Sequence, residues 1–273
     1  MKRAVVLVLC TGCLGSDEAP SGGVLVGATP GEGAHLGLGV PNRDKADDFL
    51  LVHPQFAAGY NRYLNASSWV SWRTTQDDYG PVDRFDGSFY ADTSLPSGFF
   101  RTTHNDLTGS GYDRGHMLRS EERTRTTEDN YATFVMTNVL PQRPDLNRGP
   151  WFDFELFVQE TVESTETPRD AYVVAGAVWP SECSTSAVRR TGDGCVDLGR
   201  GTDPTMRIAV PEATWKIVVF VDAGRDIADA GDAYIVGVVI PNESGISRDD
   251  WEDYRATVSE IENASGYDVP AVE

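Results

Sequence analysis

Short hydrophobic runs, separated by polar and turn-forming residues, recur along most of the chain and predict strands. Six of these runs are rich in β-branched and aromatic residues, a composition that favours a half-buried pleated strand. They are residues 49–52, 68–74, 133–137, 171–176, 215–221 and 234–240. Together they predict a sheet that uses distant parts of the chain.

Two other segments repeat their apolar residues at helical spacing. The first, residues 150–163, begins with Pro150, which suits the first position of a helix. The second, residues 248–264, follows Ser247 as the expected N-cap and ends at Gly266. Several strands before and between a few helices predict an α+β domain with a largely antiparallel central sheet flanked by helices.

The N-terminal residues have the pattern of an export signal. Lys2 and Arg3 precede a short apolar run, and Cys10-Thr11-Gly12-Cys13 follows it. Small residues before Cys13 resemble the lipoprotein cleavage site of bacteria, in which the new N-terminal cysteine carries a lipid. Cys10 stands where that pattern prefers leucine, so an ordinary signal peptide cut a few residues later is the alternative.

Three regions are therefore expected along the 273 residues. Residues 1–13 form an export signal of the lipoprotein type, residues 14–33 a Gly/Ser/Pro-rich tether, and residues 34–273 a single domain. No apolar run is long enough to span a bilayer, so the only expected membrane attachment is a lipid on Cys13. The protein is expected in the periplasm, tethered to the outer membrane, or outside the cell.

Export bears on the cysteines, because disulfides persist in oxidising compartments. Once Cys10 is removed and Cys13 is lipidated, Cys183 and Cys195 are the two remaining thiols, twelve residues apart. We predict that they form a disulfide. A zinc site is the alternative, but two cysteines without a nearby histidine make a poor ligand set.

The formal charge of −19 argues against strong general attraction to a polyanion. Its distribution changes that conclusion. Residues 101–150 contain seven arginines and seven acidic residues, so the net charge of this segment is zero and the whole excess lies elsewhere. A locally positive groove can therefore coexist with a negative surface.

The densest group of chemically useful side chains lies in the same segment, at residues 110–117. His116 can act as a base and Arg114 can offset negative charge, the two functions that hydrolysis of a phosphodiester requires. Asn147 precedes the first predicted helix, where its amide oxygen can bind a hard cation, and Glu155 lies within that helix. Each residue alone has a structural alternative: a core histidine, an N-cap, or an acid near a helix N-terminus.

The spacing of these residues as a set resembles the DNA/RNA non-specific endonuclease family, whose members have a ββα-metal active site. The residues that carry the resemblance are Asp113-Arg114-Gly115-His116, Asn138, Asn147 and Glu155, with further matches at residues 35–41, 69–72, 128–130, 215–216 and 251–267. It covers residues 34–268, and the motif with its spaced Asn and Glu is a specific one.

The resemblance implies a role for each matching residue. His116 corresponds to the general base, Asn147 to the direct metal ligand, and Glu155 to the acid that acts on the metal through water. The remaining matches are Arg114 as the motif arginine, Asp113 as the acid that positions the loop, Asn138 as a substrate-binding residue, and Arg84 as the upstream phosphate-binding arginine. Where the family often reads Pro-Ser-Ala-Asp-Arg, this chain has Arg119-Ser120-Glu121-Glu122-Arg123.

The function expected from the residues and the resemblance is hydrolysis of DNA and RNA with little sequence preference, giving 5′-phosphate products. Mg²⁺ is the expected cofactor, with Mn²⁺ or another divalent cation as the alternative. Two other functions stay open: a degenerate surface lipoprotein that binds polyanions without cutting them, and a phosphodiesterase for a smaller substrate. The sequence leaves the oligomeric state undetermined.

Overall fold

The computed structural model describes residues 32–44, 46–183, 195, 197–199, 203–229 and 233–270. The predicted export signal with Cys13 lies outside these residues, and so does most of the predicted tether. No helix in the described ranges is long and apolar enough to cross a membrane.

A six-stranded antiparallel sheet forms the centre of the fold. In spatial order its strands are β1 (Asp48–Val52), β2 (Ala57–Asn61), β3 (Ala66–Thr74), β6 (Arg169–Val178), β9 (Ala213–Asp222) and β10 (Tyr234–Pro241). Two short pairs lie apart from it: β4 (Asp113–His116) with β5 (Val139–Gln142), and β7 (Asp197–Leu198) with β8 (Ile208–Ala209). The helices are α1 (Thr127–Ala132), α2 (Pro144–Asn147), α3 (Pro150–Val162) and α4 (Val258–Ser265). The predicted α+β fold with a largely antiparallel sheet is confirmed.

Helices cover both faces of the sheet, which explains why its middle strands are buried along their length. On one face Trp151 and Phe154 of α3 belong to the same core as Val218 and Phe220 of β9. On the other face Ile261 of α4 lies in a second core. Strand β9 contributes alternate residues to these cores, and its one lysine, Lys216, is buried. That lysine becomes important at the functional site.

Two sequence-based elements are wrong. Residues 133–137 do not form a strand: they make one isolated parallel bridge, between Val135 and Tyr90, and turn bonds on either side of it, from Thr133 N to Asn130 O and from Asn138 N to Val135 O. A 3₁₀ helix begins at Met136.

The predicted helix over residues 248–264 begins only at Val258. Its N-cap is Thr257 and not Ser247, since Thr257 and Glu260 form a reciprocal capping box. The preceding residues form a 3₁₀ turn at Trp251–Tyr254, and Arg255 pairs with Val238 at the sheet. Gly266 ends the helix in the left-handed conformation, with φ 74°, as predicted.

Strand β2 was missed, and its glycine explains why. Gly59 lies under the indole of Trp69, where an added Cβ would be 2.3 Å from Nε1. Glycine weakens the strand pattern in the sequence, but here the close approach of an aromatic ring requires it.

The predicted disulfide is confirmed. Cys183 and Cys195 are bonded, with their Cα atoms 4.9 Å apart. Cys183 is buried at the edge of the core that includes α3. The residues between the two cysteines lie outside the described part of the chain.

Candidate active site

The Asp-Arg-Gly-His motif forms strand β4, which pairs with β5 to make a small antiparallel hairpin-like unit beside α3. His116 pairs with Val139, and Gly115 pairs with Leu140. A Cβ at Gly115 would lie 1.8 Å from Gln142 Oε1, so only glycine lets this side chain cross the strand. Gly115 is therefore required by packing within the strand pair.

His116 stands at the end of β4 in a largely apolar setting. Its ring packs against both Phe89 and Phe134, with centroid distances of 5.0 and 4.9 Å, and these two rings also contact each other. The backbone is anchored to α3 by Trp151 Nε1, which donates to His116 O at 3.3 Å. The buried Nε2 atom has no hydrogen-bond partner within the described structure. Burial, reinforced by the positive charge of Arg84, lowers the pKa of His116 to about 3.

Asn147 is fixed in position by Asp113 from the motif. Asn147 Nδ2 donates to Asp113 Oδ2 at 3.0 Å, and Arg148 holds the same carboxylate with two bonds of 2.8 Å. Asn147 is the last residue of α2 and does not cap α3, whose N-cap is Gly149. Because its NH₂ group is engaged, the amide oxygen is the atom left to act as a ligand.

Glu155 lies on the face of α3 that looks towards the sheet. Its side chain is 7 % exposed, and its nearest cations are Lys216 Nζ at 3.3 Å and Arg119 Nε at 3.8 Å. Burial raises the pKa of Glu155 to about 7, although both cations act in the opposite direction. Glu155 is therefore a buried acid next to two cations, and not a surface acid near a helix N-terminus.

The two predicted phosphate-binding arginines approach His116 from different elements. Arg114 donates to His104 O at 2.6 Å and to Thr108 Oγ1 at 2.6 Å. Arg84 lies over the ring of Phe134, 5.0 Å from its centroid, and donates to Ser120 and Glu121. Arg84 therefore places positive charge near the imidazole, and Arg114 lines the same cleft.

An open cleft of about 340 Å³ brings these side chains together. Its lining consists of Arg84, Arg114, His116, Arg119, Glu121, Asn147, Arg148, Phe152 and Glu155. Five of the sequence-predicted residues thus face one space, although they come from four separate stretches of the chain. Asp113 does not line the cleft but holds Asn147 from behind.

Asn138 does not fit its expected role in substrate binding. It is completely buried, and its amide bonds are all made to backbone groups: Leu118 N, Leu118 O and Thr133 O. The residue ties the segment after β4 to the one before β5. Its effect on the site is to position His116, because Met117 N also donates to Asn138 O.

Residues of the site that were not predicted as functional include four charged ones: Arg119, Glu121, Arg148 and Lys216. Lys216 Nζ lies 4.2 Å from the ring centroid of Trp151 and is 1 % exposed. A single charge inside an otherwise apolar strand was the available signal for it, since a buried lysine requires a partner. Arg119 and Glu121 were noted only as departures from the family pattern.

Comparison with known proteins agrees with this geometry. A model of the DNA/RNA non-specific endonuclease family matches residues 38–271. A nuclease from Nostoc sp. is 34 % identical over 97 % of this chain and 90 % of its own length. Bovine mitochondrial endonuclease G is 26 % identical over 89 % of this chain and 74 % of its own.

A solved structure shows the same fold. A chain of the EndoG/EndoGI complex superposes with a TM-score of 0.70 at 23 % identity, covering 90 % of this chain and 94 % of that one. The family match spans the whole cleft, including the motif strand, Asn147 and Glu155. The chain therefore belongs to the DNA/RNA non-specific endonuclease family and is an enzyme of that kind.

Proposed function

We propose that the protein is an exported, Mg²⁺-dependent endonuclease that hydrolyses DNA and RNA to products with 5′-phosphate ends. The observation that carries this proposal is the convergence of His116, Asn147, Glu155 and two arginines on one cleft. The cleft residues present charge suited to phosphate and few groups that would read a base edge. Little sequence preference is expected from such contacts.

The residues of the cleft fit a hard divalent cation. Asn147 offers an amide oxygen, and Glu155 offers carboxylate oxygens on the same wall. Within the described ranges there is no cluster of three or more His, Cys, Asp or Glu side chains that could hold a metal, so the cation would have few protein ligands. Mg²⁺ suits this set because it keeps several waters, and Mn²⁺ is the alternative. When bound, it would offset the negative charge of the scissile phosphate and the leaving oxygen.

His116 is the group that moves a proton. Its low pKa keeps the imidazole neutral at physiological pH, so it can accept a proton from the attacking water. An anionic phosphate beside the ring favours the protonated form and raises its basicity as the substrate binds. Arg114 and Arg84 hold non-bridging oxygens, and Asp113 keeps Asn147 oriented.

Export and a lipid on Cys13 are part of the same proposal. They are supported by Lys2, Arg3 and the apolar run in the sequence, and by the disulfide, which belongs in an oxidising compartment. The intact mass of protein extracted from membranes tests both ideas. A lipid-sized increase on a chain beginning at Cys13 is expected, and an unprocessed Met1 in the cytoplasmic fraction would contradict export.

The activity is tested by incubating the purified protein with plasmid DNA and with RNA, with and without Mg²⁺, and by labelling the product ends. Cleavage of both nucleic acids only with the metal, giving 5′-phosphate ends, is expected. Binding without cleavage would indicate a degenerate polyanion-binding protein. Hydrolysis restricted to small phosphodiesters would indicate the third function considered from the sequence.

A further inference from the structure

Two departures from the family pattern place new charges in the cleft. The family often has proline and alanine at the first and third positions of the stretch 119–123, where this chain has Arg119 and Glu121. Both side chains line the cleft beside His116. The two departures therefore add a pair of opposite charges to the cleft that contains His116.

Glu121 bridges two guanidinium groups that come from different parts of the chain. Its Oε1 atom lies 3.1 Å from Arg84 Nη1, and its Oε2 atom lies 3.2 Å from Arg119 Nε. Ser120 Oγ donates to Oε2 at 2.9 Å. Two guanidiniums that share one anion form the arrangement that also binds the oxygens of a phosphate.

Arg119 is held more firmly than a surface arginine. Its Nη1 atom donates to Gln159 Oε1 at 2.8 Å, and its guanidinium carbon lies 5.0 Å from the ring centroid of Phe152. Only 11 % of the side chain is exposed, whereas 46 % of Arg84 is exposed. A guanidinium already fixed in this way loses little conformational entropy when it binds an anion.

The Glu121 carboxylate, which lies between Arg84 and Arg119, carries a negative charge. Arg84 and Arg119 lower the pKa of Glu121 despite the opposing effect of burial, so Glu121 is ionised at neutral pH. An incoming phosphate must therefore replace an anion that is already bound to the same cations.

We propose that Arg84 and Arg119 form a phosphate-binding subsite, and that Glu121 occupies it in the free enzyme and is displaced by a backbone phosphate of the nucleic acid. This inference rests on the proposed function, and it identifies competition by Glu121 as a limit on the affinity for substrate. Because the competition concerns phosphate alone, it weakens binding to DNA and RNA alike without reading the sequence.

Glu121→Gln tests the subsite because it keeps the size of the side chain and removes its charge. We expect the KM for long DNA to fall about three- to tenfold with little change in kcat, because the two ion pairs of Glu121 no longer oppose binding. The dependence of binding on salt should become steeper, since the released arginines exchange counterions for phosphate. Arg119→Gln should raise KM. The double variant Arg119→Gln with Glu121→Gln should keep most of that increase in KM.

Glu128→Gln is the matched control, because Glu128 is an exposed acid of α1 outside the cleft. Its KM should stay within twofold of the parent. An equal fall in KM for Glu121→Gln and Glu128→Gln would show a general charge effect and overturn the subsite. A higher KM for folded Glu121→Gln would show that the carboxylate only positions the arginines, and would also overturn it.

Binding of a short DNA duplex without metal, measured by fluorescence anisotropy in the His116→Ala background, separates this inference from the proposed function. Tighter binding by Glu121→Gln is expected there too. If the parent cuts no nucleic acid, the proposed function fails, whereas the effect of Glu121→Gln on duplex binding still decides the subsite. If the parent cuts nucleic acid but Glu121→Gln leaves duplex binding unchanged, the subsite alone is refuted.

Discussion

Replacing Lys216 with methionine tests the buried charges that lie beneath the cleft. Lys216 is 1 % exposed, and its Nζ atom lies 3.3 Å from Glu155 Oε1. It also opposes the charge of Glu122, a second buried acid that accepts a bond from Trp72 Nε1 at 2.8 Å. Methionine keeps much of the lysine stem against the aromatic rings but leaves both acids without this cation.

The size of the effect follows from the distance and the burial. Two unit charges 3.3 Å apart attract by about 5 kcal/mol at an effective dielectric constant of about 20. Part of this is offset because lysine no longer has to be desolvated, and removing one member of a buried pair usually costs about 3–5 kcal/mol. We expect Lys216→Met to lower the free energy of unfolding by about 3–5 kcal/mol at pH 8.

The loss should depend on pH in a defined direction. The pKa of Glu155 in the folded protein is about 7, above its ordinary 4.5, so its ionisation costs stability as pH rises through that interval. Without Lys216 the pKa rises further and the loss extends to higher pH. At pH 5, where Glu155 is protonated, the difference between parent and variant should be smaller.

Urea unfolding from pH 5 to pH 9 measures this effect. Arg125→Met is the control, because Arg125 and Asp129 form an exposed ion pair at 3.6 Å that should contribute less than about 1 kcal/mol. The double variant Lys216→Met with Glu155→Gln should recover much of the stability but no activity. If Lys216→Met loses no more stability than Arg125→Met, Lys216 does not stabilise the buried acids Glu155 and Glu122.

Three further outcomes are expected. His35, whose Nε2 contacts Pro54 O at 2.8 Å, has a pKa lowered to about 4, chiefly by burial. As pH falls below about 6.5, His35 is protonated in the unfolded state before it is protonated in the folded state, so the free energy of unfolding drops by about 3 kcal/mol by pH 4. His35→Gln should flatten that part of the stability profile, as measured by urea unfolding. Replacing Cys183 and Cys195 with serine should cost roughly 3 kcal/mol in thermal unfolding while kcat is kept, and an unchanged Tm would contradict it. Cleavage of long DNA should fall steeply as salt rises, because the arginines of the cleft bind phosphate in exchange for counterions, and a flat response up to physiological salt would refute the positive groove.

Sequence patterns were sufficient where one residue type has one physical use. The run at residues 215–221 is β-branched and aromatic, and it lies within strand β9. Pro150 and Gly266 mark helix ends because proline lacks an N–H group and glycine accepts a positive φ. The motif residues could be found through their spacing because the chemistry fixes their identity.

The same patterns gave wrong or missing predictions where contacts between distant parts of the chain determine the structure. Thr257 caps α4 in preference to Ser247, since the intervening chain is drawn into a contact between Arg255 and Val238. Asn138 looked like a ligand for substrate, but its amide completes the bonding of buried backbone. Lys216 comes next to Glu155 only through the packing of α3 on the sheet, across a sequence separation of 61 residues. Such pairings cannot be read from local composition.

The proposed mechanism depends on His116 as the base and on Asn147 as the ligand of the metal. The measurement is the cleavage rate as a function of Mg²⁺ concentration for His116→Ala and Asn147→Ala, each shown to be folded by circular dichroism. His116→Ala should bind DNA in Mg²⁺ yet turn over about 10²- to 10⁴-fold more slowly at every concentration of the metal. Asn147→Ala should need more Mg²⁺ and regain part of its rate when the metal is raised. A folded His116→Ala that cuts at the parent rate would show that His116 is not the base.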